Sequence, residues 1–174
     1  IDHSAHTLVP GLVDAHVHLT IGGPPARAAL TIARAGFTTV ADLGARHTRV
    51  LRVRDSIDAG LLPGPRIVGA GVWIGMKGGT CEFGGIGIEG GLQNYRARVR
   101  DNAAAGATIA KACVSGWPQD ALASPDSYEL WDTAIEAIVD EARSANQLVI
   151  AHAISRGSVD ASLHAGVHGL AHTA

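Results

Sequence analysis

Polar and apolar positions alternate through residues 8–19, LVPGLVDAHVHL. In a strand, alternate side chains share a face, so Asp14, His16 and His18 point one way. Val13, Ala15, Val17 and Leu19 point the other way and are expected to pack on helices. Downstream the pattern becomes a repeated unit. ARAGFTTV (33–40), AAAGATIA (103–110) and LHAGVHGL (163–170) each close an Ala-rich helical stretch with glycine and then run into strand-type residues. Glycine just past a helix end takes the left-handed position that other residues occupy only at a cost. A fourth copy, IDAGLLPGPRIVGAG (57–71), stops its helix with a Pro-Gly-Pro turn.

Helix, glycine and buried strand in repetition predict consecutive βα units around a parallel sheet. The pattern places strands near 12–19, 37–43, 66–73, 108–114, 147–153 and 167–172. Helices are predicted near 24–35, 48–59, 92–105, 129–145 and 156–165. Within the fourth of these, Trp131, Ala134, Ile135, Ile138, Val139 and Ala142 fall on one helical face. The stretch 75–91, GMKGGTCEFGGIGIEGG, holds eight glycines and predicts a long mobile loop after the third strand. Its spacing fits neither a P-loop nor a dinucleotide fingerprint.

Composition narrows the setting. The chain has 174 residues, enough for one domain, and a formal net charge of −2 without a basic run. With aromatics at only 4%, a nucleic-acid surface is not expected. No apolar stretch is long enough to span a bilayer. Cys81 and Cys113 lie far apart and do not form a disulfide-framework pattern, so a reducing, cytoplasmic setting is the expectation.

Ionisable residues recur inside the apolar strands: His16 and His18 in the first, Asp42 in the second, Lys111 in the fourth, His152 in the fifth and His172 in the sixth. Each alone has an ordinary reading as a hydrogen-bonded core residue, and a half-buried strand with a wet face accounts for the first pair. Lysine, however, is almost never buried unpaired. Together these residues sit near the C-terminal ends of strands, the face where α/β barrels bind ligands. Imidazoles suit zinc and its neighbours, and alternate residues of a strand lie only about 6.6 Å apart.

In this order, LVPGLVDAHVHL, GFTTVADLG, AGLLPGPRIVGAG, GATIAKACVSG, LVIAHA and AGVHGLAHT resemble the motifs of the amidohydrolase superfamily, in its imidazolonepropionase-like and Xaa-Pro dipeptidase-like branch. The resemblance implies an α/β fold of the (β/α)8 TIM-barrel type, with about six of eight units in residues 1–174 and residues 1–10 as the exit from a flanking β-sandwich. It implies that His16 and His18 bind a first metal, that His152 and His172 bind a second, and that a carboxylated Lys111 bridges them. One or two Zn2+ ions, or other first-row divalent metals, are the implied cofactors. His3, His6, His47, His164 and His168 match no ligand motif and read as surface or helix positions. His168 keeps a candidate substrate role through alternation with His172, as do Trp117 and Arg156 through their places after strands four and five.

The implied activity is metal-dependent hydrolysis of C–N bonds in amides, peptides or cyclic amides through a metal-activated hydroxide. The family's general-base Asp belongs to an eighth strand beyond His172, so a chain ending here is expected to be a segment, a truncated product or one partner of a split protein. Asp42 and His168 are the fallback bases. The competing expectation is a non-catalytic partial barrel that binds metal or a partner without turnover. Open strand edges predict a homo-oligomer or a completing segment.

Overall fold

A helix that must return its chain to a parallel sheet needs a sharp reversal at its C-terminal end, and the repeated glycines supply it. The structure, a computed structural model, describes residues 6–172. Its elements run β1 (Leu12–Val17), α1 (Pro25–Arg34), β2 (Phe37–Asp42), α2 (Arg49–Asp58), β3 (Arg66–Gly69), α3 (Leu92–Ala104), β4 (Ile109–Cys113), α4 (Pro118–Ala123), α5 (Asp132–Ser144), β5 (Leu148–His152), α6 (Arg156–Ala165) and β6 (Gly169–His172). Gly36, Gly106 and Gly166 follow α1, α3 and α6 with φ of 96°, 87° and 78°, the left-handed geometry expected of them. The short helix α4 has no counterpart in the sequence reading; six residues are too few to show a helical period. Residues 6–11 carry no regular structure. His3 and the rest of residues 1–5 lie outside the described residues.

All strand pairs are parallel. They form two sheets, β1-β2-β3 and β4-β5-β6, joined by isolated bridges between Ala70 and Ile109 and between Ile74 and Ala112. The third strand, expected over 66–73, pairs regularly only to Gly69. Beyond it, Asn102 of α3 replaces a neighbouring strand: its Oδ1 accepts from Val72 N and its Nδ2 donates to Val72 O, both at 2.8 Å. A Cβ on Gly71 would collide with the Asn102 side chain, so this approach requires glycine.

Alternation sorts the strands into two faces. Ala110, Ala112, Val149 and Ala151 face the helices in a core with Tyr95, Val99, Ile135, Ile138 and Val139. A second core sets Val40 and Ile67 against Ala29, Val50 and Leu51. On the inner face, Leu43, Ala70 and Ile109 pack with Ile150 and Ala171. The edge strand β1 departs from the expected packing. Leu19 is buried, but Val13 is 66% exposed and Ala15 is exposed too, because register shifts interrupt its pairing with β2 and no helix covers its start.

The glycine-rich stretch is also less free than its composition suggests. Glu129 accepts from Thr80 N and Oγ1, and Arg98 donates to Trp73 O and Ile86 O. Cys81 and Cys113, which show no disulfide-framework pattern in the sequence, form a disulfide with Cα atoms 6.1 Å apart. Chain reversal through eight glycines brings together cysteines that sequence distance separates. Among the described residues no helix is long and apolar enough to cross a membrane.

Asn102→Leu should lower stability by about 1–3 kcal/mol, because it strips the partners from both Val72 N and Val72 O. A urea denaturation midpoint measures this, and an unchanged midpoint would show that Val72 finds other partners.

Candidate metal centre

One constraint arranges the start of the site. Asp42 is fully buried at the end of β2, with Oδ2 accepting from Leu19 N at 2.7 Å and Oδ1 from Gly44 N at 2.9 Å. Burial pushes its carboxyl up to about 6, against the pull of those two donors. Both oxygens are committed to backbone, and Asp42 does not line the cavity described below, so it is placed to position the strand ends rather than act as a base. Asp14 bends back to accept from His16 N and also stays out of the cavity.

Gly44, held by Asp42, presents its carbonyl to His18 Nδ1 at 2.7 Å. A ring nitrogen facing a carbonyl must carry the proton, which leaves His18 Nε2 with its lone pair free. That nitrogen lies 3.3 Å from His16 Nε2. Two nitrogens held at 2.0–2.1 Å from a tetrahedral zinc would be separated by about 3.3 Å, so the pair fits the first two corners of such a shell.

Lys111 points to the same inner face as Ile109 and Cys113. It is 3% exposed, and its Nζ has no hydrogen-bond partner. Burial brings its amine down to about 7. His152 closes β5, its Nε2 3.3 Å from Gly116 O, which leaves Nδ1 as its lone-pair nitrogen. A register shift between Ala151 and His152 re-aims the end of β6. The His172 ring consequently stands 4.8 Å from that of His152 and 4.7 Å from that of His16.

These five side chains line one cavity of about 370 Å3, together with Ile21, Trp73, Thr80, Cys81, Phe83 and Trp117. Around its mouth the rings run Trp73, His18, His16, His172, His152 and Trp117, each within 5.7 Å of the next. Burial, then the neighbouring Lys111, brings the His16 ring down to about 4. Burial likewise brings His152 to about 4, against its Gly116 contact. Neutral imidazoles, a poorly basic amine and no lining carboxylate among the described residues make a donor set that suits a cation. No group of three His, Cys, Asp or Glu side chains among the described residues already encloses an ion position.

The other candidates divide. Trp117 borders His152 at the cavity mouth, their ring centroids 5.7 Å apart. Arg156 instead pairs with Asp126 at 2.5 Å on the outer surface, since the first turn of α6 faces away from the mouth. His168 sits at the opposite end of β6, where its Nδ1 accepts from Val149 N, so alternation does not bring it beside His172. Trp73 and Phe83 were missed in the sequence. The isolated Trp just past strand three was the available signal.

The amidohydrolase family model matches residues 7–174. Ochratoxinase from Aspergillus niger is 23% identical over 215 residues, covering 98% of this chain and 44% of that protein. The chain thus spans less than half the length of the curated relatives it matches. A solved Xaa-Pro dipeptidase with bound methionine in its active site superposes with a TM-score of 0.80 at 27% identity, covering 92% of this chain and 47% of that one. Phenylurea hydrolase B superposes at 0.73 with 28% identity, covering 92% and 46%. Parallel βα units in this order, the row of histidines at their C-terminal ends and a family match over nearly every residue lead to one conclusion: this chain belongs to the amidohydrolase family.

Proposed function

We propose that residues 1–174 form the metal-binding part of a hydrolase that cleaves amide, peptide or cyclic-amide C–N bonds. The observation that carries this reading is the 3.3 Å approach of His16 Nε2 and His18 Nε2, with His18 fixed in its tautomer by Gly44. In the proposal His16 and His18 hold one divalent ion, zinc or a neighbour, and His152 and His172 hold a second. Lys111 bridges them after carboxylation. An amine brought down to about 7 is substantially unprotonated near neutral pH and can add to carbon dioxide, which an ordinary lysine does poorly. Bound metal supplies a water of lowered pKa and a polarised scissile carbonyl.

The chain's own residues bind and orient. Trp73, Phe83 and Trp117 offer apolar walls to the substrate, and the pinned loop 75–91 covers one side of the cavity. In this reading the six parallel strands are the larger part of a (β/α)8 barrel. The exposed flank of β1 is where further strands of the same protein, or a second copy, would complete it.

The full-length protein loaded with Zn2+ should hydrolyse members of a panel of N-acyl amino acids and dipeptides, and His16→Ala with His18→Ala should reduce kcat/KM by at least 100-fold. Wild-type protein that binds metal without turning over any member would favour a non-catalytic role. Lys111→Ala should lose the second equivalent of metal, and millimolar formate or acetate should restore part of it, because the bridge needs an anionic oxygen rather than a lysine stem. Unchanged stoichiometry in Lys111→Ala would make that residue structural.

Proton competition gives a further check. Burial leaves His16 and His152 protonated only near pH 4, so protons displace an ion only as pH falls toward that value. The first equivalent of Co2+, followed by its visible absorption, should stay bound from pH 7 to about 5.5. Ordinary histidines, titrating near 6.5, would bind the same ion progressively more weakly across that range.

A further inference from the structure

The glycine-rich loop is held firmly at its base and by very little at its tip. At the base, Lys77 N donates to Ile88 O and Ile88 N to Gly75 O, both at 2.9 Å. Arg98 adds its donation to Ile86 O. Between these anchors run residues 78–85, GGTCEFGG, half of them glycine, the residue that loses most freedom on ordering. No residue from 77 to 87 is buried, so the tip has no apolar anchor in the core. Among the described residues, two ties join it to the chain outside the loop. One is the hydrogen bonding of Thr80 to Glu129, and the other is the Cys81–Cys113 disulfide.

The two ends of that disulfide lie in unlike places. Cys113 is fully buried on β4, two residues past Lys111 and in register with His152. Cys81 is only half-buried, and it lines the histidine-lined cavity together with Thr80 and Phe83 of the same tip. A covalent bond therefore fastens one wall of the cavity to the strand that carries Lys111. Trp73, the ring neighbour of Phe83 at 5.2 Å, is only 7% exposed. Departure of the tip would remove Phe83 from that indole.

We propose that the Cys81–Cys113 bond is a redox latch: a dithiol reductant opens it, and the released tip uncovers the histidine-lined cavity. The reductant's thiolate attacks the sulfur of Cys81, the accessible end, and forms a mixed disulfide with it. Cys113 leaves and takes up a proton. The reductant's second thiol then closes on the first and expels Cys81 as a thiol. Two electrons and two protons have passed to the protein, and the reductant ends as its own disulfide. A disulfide oxidant runs the same exchange backward. Strand β4 keeps its place meanwhile through its pairing with β5 and the bridge from Ala112 to Ile74. The inference goes beyond the hydrolase reading and concerns the cavity whatever it binds.

Hydrogen exchange in the full-length, metal-free protein, with and without dithiothreitol, tests the latch without turnover. Reduction should speed exchange of the hydrogen-bonded amides of Thr80, Glu82 and Phe83 at least 10-fold, and leave β4 and β5 within twofold. Cys81→Ser should show the fast rate without reductant, and dithiothreitol should change it no further. Acrylamide quenching of Trp73, isolated by difference against Trp73→Phe, should rise at least twofold on reduction. Oxidised glutathione, added after the dithiothreitol is removed, should restore both readouts. Unchanged exchange at the tip on reduction, or a slow rate in Cys81→Ser, would overturn the proposal. Equal acceleration through β4 and β5 would overturn it by making the bond a structural staple. A tip that loosens while Trp73 stays protected, or one that does not reclose on oxidation, would overturn it as well.

Discussion

The carboxylate of Asp42 ties the end of β1 to the turn after β2, and the geometry of the first histidine pair depends on it. Its two oxygens fix Leu19 N and Gly44 N, and Gly44 O in turn sets the ring of His18. An amide side chain could not substitute, since it would aim a donor at one of the two backbone donors. A single buried acid thus decides which nitrogen of His18 is left free, at one remove from any ligand. Its burial is costly, and the two backbone hydrogen bonds offset that cost only when the strand ends are in place.

The rest of the site is governed by the exclusion of protons. Burial lowers His16, His152 and Lys111 together, and the neighbouring Lys111 further discourages a charge on either ring. The resulting cluster carries little positive charge near neutral pH yet is rich in lone pairs, and Lys111 Nζ is left without a partner. An apolar interior would not place an amine and several imidazoles around one space, because each unsatisfied group reduces stability. A cation or an added acid group resolves that conflict.

Much of this was legible in the sequence where periodicity and glycine placement act locally. The glycines after α1, α3 and α6, and the alternation through Ile109, Lys111 and Cys113, specify helix ends and the inner face without reference to distant residues. Elements that depend on tertiary partners were not legible. The end of β3 is set by Asn102 from another element, and the pairing of Cys81 with Cys113 depends on the path of a glycine-rich loop. Period two placed His168 and His172 on one face, but the irregularity in β6 overrode it. Arg156 follows a strand, as substrate-binding residues often do, yet the turn of α6 carries it to Asp126 on the outside.

The amine chemistry of the molecule is divided between two environments. Lys77 and Lys111 are the chain's only lysines. Lys77 is exposed and paired with Glu89, while Lys111 lies behind the aromatic rim as a weak base and a ready nucleophile. Of the two lysines, bulky acylating reagents therefore meet Lys77 alone, whereas a reagent as small as cyanate can reach both and reacts faster with the less protonated of them. Reagent size, rather than reagent strength, selects the site of modification, and a permanent carbamoyl group on Lys111 would fill the position with a neutral amide in place of an acid.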